Sequence, residues 1–151
     1  MASPVHRPAA LLAAAGMLLL LICAAGVAAG LLFAERLFAL LPPVTIDAAA
    51  VGGAAVALGI AIGLLGVIHL ALAFALRRGA PAAAVPAIVL CLAMAVLSLA
   101  WAVAALVSAA SGSAPPLAML AAGIGLTLVA LAYTWAGGVL IGLRGRSEAG
   151  D

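Results

Sequence analysis

Residues 48–76 read AAAVGGAAVALGIAIGLLGVIHLALAFAL, a run without a single Asp, Glu, Lys or Arg. The hydrocarbon core of a bilayer is about 30 Å thick and a helix rises about 1.5 Å per residue, so about 20 apolar residues cross it. Three further stretches meet the same test, at 9–33, 82–110 and 117–143, and none of them holds a charged residue. Short tails at 1–8 and 144–151 complete the chain as a single membrane domain. The breaks between the stretches carry helix-ending residues: Pro42-Pro43, then Arg77-Arg78-Gly79 with Pro81, then Ser111 to Pro116. An open sheet would leave edge amides unpaired in hydrocarbon, and no period-2 alternation points to a barrel. The sequence therefore predicts an all-α, four-span transmembrane helix bundle.

Composition supports this reading. The chain is 70% apolar and 7% charged, whereas a soluble domain is nearer 45–50% and 25%. Too few polar side chains exist to cover a globule in water, and disorder needs low hydrophobicity with high charge. There are 43 Ala and 17 Gly but no Lys, Asn or Gln, a bias that fits a GC-rich bacterial genome. The net charge is only +2 and there is no basic run, so no nucleic-acid partner is expected. A cleaved signal peptide would have an apolar region of about 7–15 residues, much shorter than 9–33.

Orientation follows from arginine counts in the short loops. With four spans, the N-terminus, the second connection and the C-terminus share a side. That side holds Arg7, Arg77, Arg78, Arg144 and Arg146, and the other holds Arg36 alone. Both termini are expected in the cytoplasm, with the chain in the inner (plasma) membrane of a bacterium. The segment 31–41 is interrupted by Glu35 and Arg36. Either the first helix projects past the membrane or, the preferred reading, the chain bends near Gly30 and a short amphipathic piece lies at the outer surface, with Leu37, Phe38 and Leu41 toward lipid. A weak internal repeat is visible: each half opens near a Pro (Pro8, Pro86), turns at a Pro-Pro pair and ends in Leu-Arg. Any four-span chain needs such punctuation, so duplication is the less economical reading.

Lipid supplies no hydrophobic drive between helices, so close approach at small residues must hold them. Gly26 and Gly30 form a GxxxG pair in the first span, Gly59 and Gly63 in the second, and Gly138 and Gly142 in the fourth. Gly52 and Gly66 lie seven residues to either side of Gly59 and mark one face of the second helix as a centre of packing. The plain reading is packing within the chain; the functional one is a seam for self-association.

An ionisable residue inside a span is costly and so is a functional candidate. Only His69 qualifies, eight residues before Arg77 and about 12 Å along the helix from it. Tyr133 and Thr134 lie at similar depth in the fourth span. If the two helices touch, an imidazole nitrogen could bond either hydroxyl, as a proton relay or ligand contact. The alternative is a neutral histidine satisfied within the protein. Cys23 and Cys91 read as small apolar packing residues.

Several chemistries lack their residues. No acid lies in the first span, as intramembrane exporters of the small multidrug type require. There is no CxxC pair, and two His cannot ligate two haems. No metal-ligand cluster, cofactor motif, phosphate loop or nucleophile–base pair is visible. The expectation is a non-catalytic multi-pass protein, not an enzyme, binding no cofactor. Its partners are the lipid bilayer and either other membrane helices or further copies of itself. It serves as a structural or accessory subunit or as a scaffold. The alternatives are a small oligomeric transporter or channel using the Gly-lined second span and His69, and a protein that binds lipid or another hydrophobic ligand. In a background without Cys23 and Cys91, Ser111→Cys should react with an impermeant thiol reagent in intact cells. Labelling only after the cells are broken reverses the orientation.

Overall fold

In the computed structural model, residues 5–39, 47–112 and 115–148 are described. Side chains at 37–39, 116, 147 and 148 are not described. The elements run α1 (His6–Leu32), α2 (Ala34–Ala39), α3 (Ala48–Arg77), a 3-10 turn (Pro81–Ala83), α4 (Ala84–Ala110) and α5 (Pro116–Glu148). No strand occurs among the described residues. Four helical stretches are long and apolar enough to cross a membrane: His6–Leu32, Ala48–Arg77, Pro81–Ala110 and Leu117–Arg146. Their mean hydropathies are 2.5, 2.4, 2.5 and 2.0.

Local chemistry sets the ends. Pro8 sits in the first turn of α1 and Pro116 is the first residue of α5; the N–H each lacks would have no helical partner there. Asp47 caps α3, its Oδ1 accepting from the Ala50 N–H at 2.6 Å. At the other end of α3, the Gly79 N–H donates to the Leu76 carbonyl and the Ala80 N–H to the Ala75 carbonyl, both at 3.0 Å. Gly79 has φ +72°, the left-handed conformation this double closure requires. Pro81 follows directly and prevents the helix from resuming in the same direction.

The chain divides into two compact units, Leu12–Phe74 and Met1–Leu11 with Ala75–Asp151. In the first, α1 and α3 pack antiparallel along glycines. A Cβ on Gly16 would lie 2.8 Å from the Gly66 carbonyl oxygen, and one on Gly30 would lie 2.6 Å from that of Gly52. Between these, a Cβ on Gly26 would lie 3.6 Å from the Gly59 Cα, and Gly63 lies under the Cys23 sulfur. Backbone meets backbone along the whole seam. The chain does not bend at Gly30, which stays inside α1, buried at this seam. The break comes at Phe33, whose N–H still donates to the Ala29 carbonyl at 3.0 Å. Beyond it, the Arg36 guanidinium lies 5.8 Å from the centre of the Phe33 ring. The lipid-facing roles expected of Leu37, Phe38 and Leu41 fall outside the described side chains.

In the second unit, α4 and α5 are the antiparallel pair. The buried positions of α4 are Ala87, Cys91, Ala95, Ser98 and Ala102, steps of three and four that keep one narrow face inward. Gly123 of α5 fits beside Ala102 and Leu106, and Gly137 beside Cys91 and Leu92. The large side chains point the other way: Leu21 is 66% exposed and Val96 70% exposed. Small residues inside and large apolar ones outside is the reverse of a water-soluble protein, and it suits helices surrounded by acyl chains.

Gly30→Ala places a methyl group against the Gly52 carbonyl and should lower stability in detergent by about 1–3 kcal/mol. Gly125→Ala enters open space and should be neutral or stabilise by about 0.5–1 kcal/mol. Equal melting temperatures for the two variants would refute backbone-to-backbone packing at this seam.

Candidate functional site

His69 belongs to the α1–α3 unit. It is 0% exposed, and its Nδ1 lies 2.8 Å from the Leu65 carbonyl oxygen one turn earlier on α3. A carbonyl only accepts, so Nδ1 carries the proton in this bond. The neutral ring is then the Nδ1–H tautomer, and Nε2 is the nitrogen with an accepting lone pair. The opposing helix makes room for the ring. A Cβ on Gly16 would lie 3.1 Å from the His69 Cβ and 2.8 Å from the Leu70 Cγ. Gly16 therefore allows α1 to close over the stretch of α3 that carries the imidazole.

Tyr133 and Thr134 belong to the other unit and diverge on α5. Successive helical residues are about 100° apart. Tyr133 is buried, whereas Thr134 and Trp135 are exposed. The Thr134 hydroxyl donates to the Ala130 carbonyl at 2.9 Å, and the Thr127 hydroxyl donates to the Gly123 carbonyl at 2.8 Å. Each satisfies itself on its own helix, as isolated hydroxyls in apolar surroundings do. Among the described residues, no buried side-chain nitrogen or oxygen lacks a hydrogen-bond partner. No group of three His, Cys, Asp or Glu able to hold a metal is found among them either. Both cysteines are free thiols.

The glycines separate into two sets. Gly26, Gly30, Gly52, Gly59, Gly63 and Gly66 lie in the α1–α3 seam. Gly138 and Gly142 do not lie in such a seam: a Cβ at either position meets nothing within 4 Å. They flank an open groove on α5 together with Trp135, Val139 and Arg146. Gly16, Gly123 and Gly137 are contact glycines that the GxxxG pattern does not select. Gly16 was legible by another spacing, since Gly16, Cys23 and Gly30 recur every seven residues opposite Gly52, Gly59 and Gly66. The alanine stripe of α4 was legible as steps of three and four.

The five arginines of the expected cytoplasmic side all belong to the α4–α5 unit. Arg7 is in the first turn of α1, Arg77 in the last turn of α3, Arg78 follows it, and Arg144 and Arg146 are near the end of α5. All five are exposed. Compared with known proteins, the chain matches no family model, no curated protein and no solved structure.

His69→Ala removes a fully buried ring and should destabilise the protein by about 2–4 kcal/mol, read from thermal unfolding in detergent. His69→Leu refills the volume and should recover most of that loss. A Leu variant as unstable as the Ala variant would show that the ring's hydrogen bonding, rather than its volume, matters to the fold.

Proposed function

We propose that this chain is a non-catalytic, multi-pass membrane protein, a structural or accessory subunit that packs against other membrane helices. The observation that carries the reading is the satisfaction of its few polar groups. A permeation path needs polar side chains at several depths. Here the hydroxyls of Thr127 and Thr134 bond their own helices, and among the described residues no buried polar side-chain atom is without a partner. Acid–base or nucleophilic catalysis needs convergent titratable groups, and the imidazole of His69 is held by the Leu65 carbonyl of its own helix. The face of α5 bearing Gly138 and Gly142 gives a place where a second helix can approach closely. The five-to-one arginine count supports a cytoplasmic position for both termini, and the Ala- and Gly-rich composition without Lys supports a bacterial inner membrane.

The buried imidazole is the observation that favours the alternative, a small oligomeric transporter or channel. The two readings differ in outcome. Capture of the tagged protein in mild detergent should bring down a defined membrane partner or a second copy. Gly138→Leu with Gly142→Leu should reduce that recovery at least several-fold without changing the melting temperature. Proton or solute flux into vesicles that depends on the protein and is lost in His69→Ala would replace this reading with the transporter.

A further inference from the structure

The exposed large apolar side chains form a belt whose length can be read along the helix axes. On α5 they run from Leu117, 81% exposed, through Ile124, Leu128 and Leu131 to Ile141. That distance is about 36 Å at about 1.5 Å per residue. On α4, its antiparallel neighbour, they run from Val85 to Val107, about 33 Å.

The α1–α3 unit gives the same length by another route. α1 carries its exposed large apolar residues from Met17 to Phe33, and α3 from Leu58 to Phe74. Each run alone is only about 24 Å long. The two helices are antiparallel, however, with Gly16 opposite Gly66. Phe74 lies eight residues past that level in one direction, and Phe33 seventeen in the other. The staggered runs together cover about 37 Å.

A typical hydrocarbon core is about 30 Å thick, and spanning helices tilt by about 20°. At that tilt a belt of about 36 Å still covers about 34 Å along the membrane normal. The headgroup zone accepts alanine, glycine and helix ends, but large aliphatic side chains gain only where water is absent. In a core of ordinary thickness, Val107, Leu117 and Leu120 at one end, or Val85 and Ile141 at the other, are left outside the acyl chains. Mismatch of this kind has a modest cost for each ångström and sorts proteins among membranes of different thickness.

We propose that the exposed belt fits a bilayer of long-chain lipids, with a hydrocarbon core of about 34–36 Å rather than about 30 Å. This fit rests on the membrane reading alone and needs no partner subunit.

The test is thermal unfolding of the full-length protein in vesicles of monounsaturated phosphatidylcholine. The acyl chains lengthen in even steps from fourteen to twenty-four carbons. The melting temperature should peak at twenty-two carbons, about 4 °C or more above its value at eighteen. Val107→Ser, Leu117→Ser and Leu120→Ser combined shorten the belt at one end, all at exposed positions, and should move the peak to shorter chains by at least two carbons. Leu128→Ser with Leu131→Ser, in the middle of the belt, should leave the peak in place. A peak at twenty carbons or fewer, no dependence on chain length, or a triple variant with an unmoved peak overturns the fit and leaves the membrane reading standing. Failure to enter vesicles of any thickness overturns both.

Discussion

Two helices can press backbone against backbone only where side chains are missing, and everything else in the α1–α3 unit depends on that closeness. Gly16, Cys23 and Gly30 on one helix and Gly52, Gly59 and Gly66 on the other recur every seven residues. Seven residues are close to two turns, so each set stays on one face. Run antiparallel, the sets meet as Gly16 with Gly66, Cys23 with Gly59, and Gly30 with Gly52. In a bilayer, where apolar side chains gain nothing by leaving lipid, dispersion between closely approached backbones is the main force available. The same logic governs α4 and α5 in a softer form, with alanines, one cysteine and one serine opposite Gly123 and Gly137.

This arrangement leaves the large residues outside. Leucines, valines and isoleucines cover the outward faces of all four long helices, and among the described residues no long helix has a polar face along its length. Water would not tolerate that surface, and hydrocarbon requires it. Every backbone amide within a span must then be satisfied by its own helix, which explains why the few hydroxyls turn back on carbonyls one turn earlier. His69 does the same with one nitrogen.

Polar chemistry is concentrated at the helix ends instead. Asp47 closes the start of α3 and Gly79 closes its end. The arginines gather where α1 begins and where α3 and α5 finish. Charge at these positions can orient the chain through the positive-inside effect and can hold anionic headgroups at the same time. A chain with so little to offer in its interior meets its surroundings through outward faces and rims.

The four long helices, the break at Gly79 and Pro81 and the seam glycines of α1 and α3 could be read from the linear order of residues, because hydropathy over about 20 residues and spacing on a helix are local properties; the expected break at Pro42-Pro43 lies outside the described residues. The place of the break after α1 is not legible in this way: composition points to the neighbourhood of Gly30, yet a glycine held between two backbones stays helical, and the break falls at Phe33. The outward position of Gly138 and Gly142 and the divergence of Tyr133 from Thr134 could not be read in that way. A GxxxG pair looks the same in sequence whether it faces a neighbour or open space. Which helix face turns inward depends on its partner. Sequence alone determined the solvent this protein needs and the number of times it can cross it; tertiary structure decided which of its small residues touch and which face open space, because contact is a relation between segments far apart in the chain.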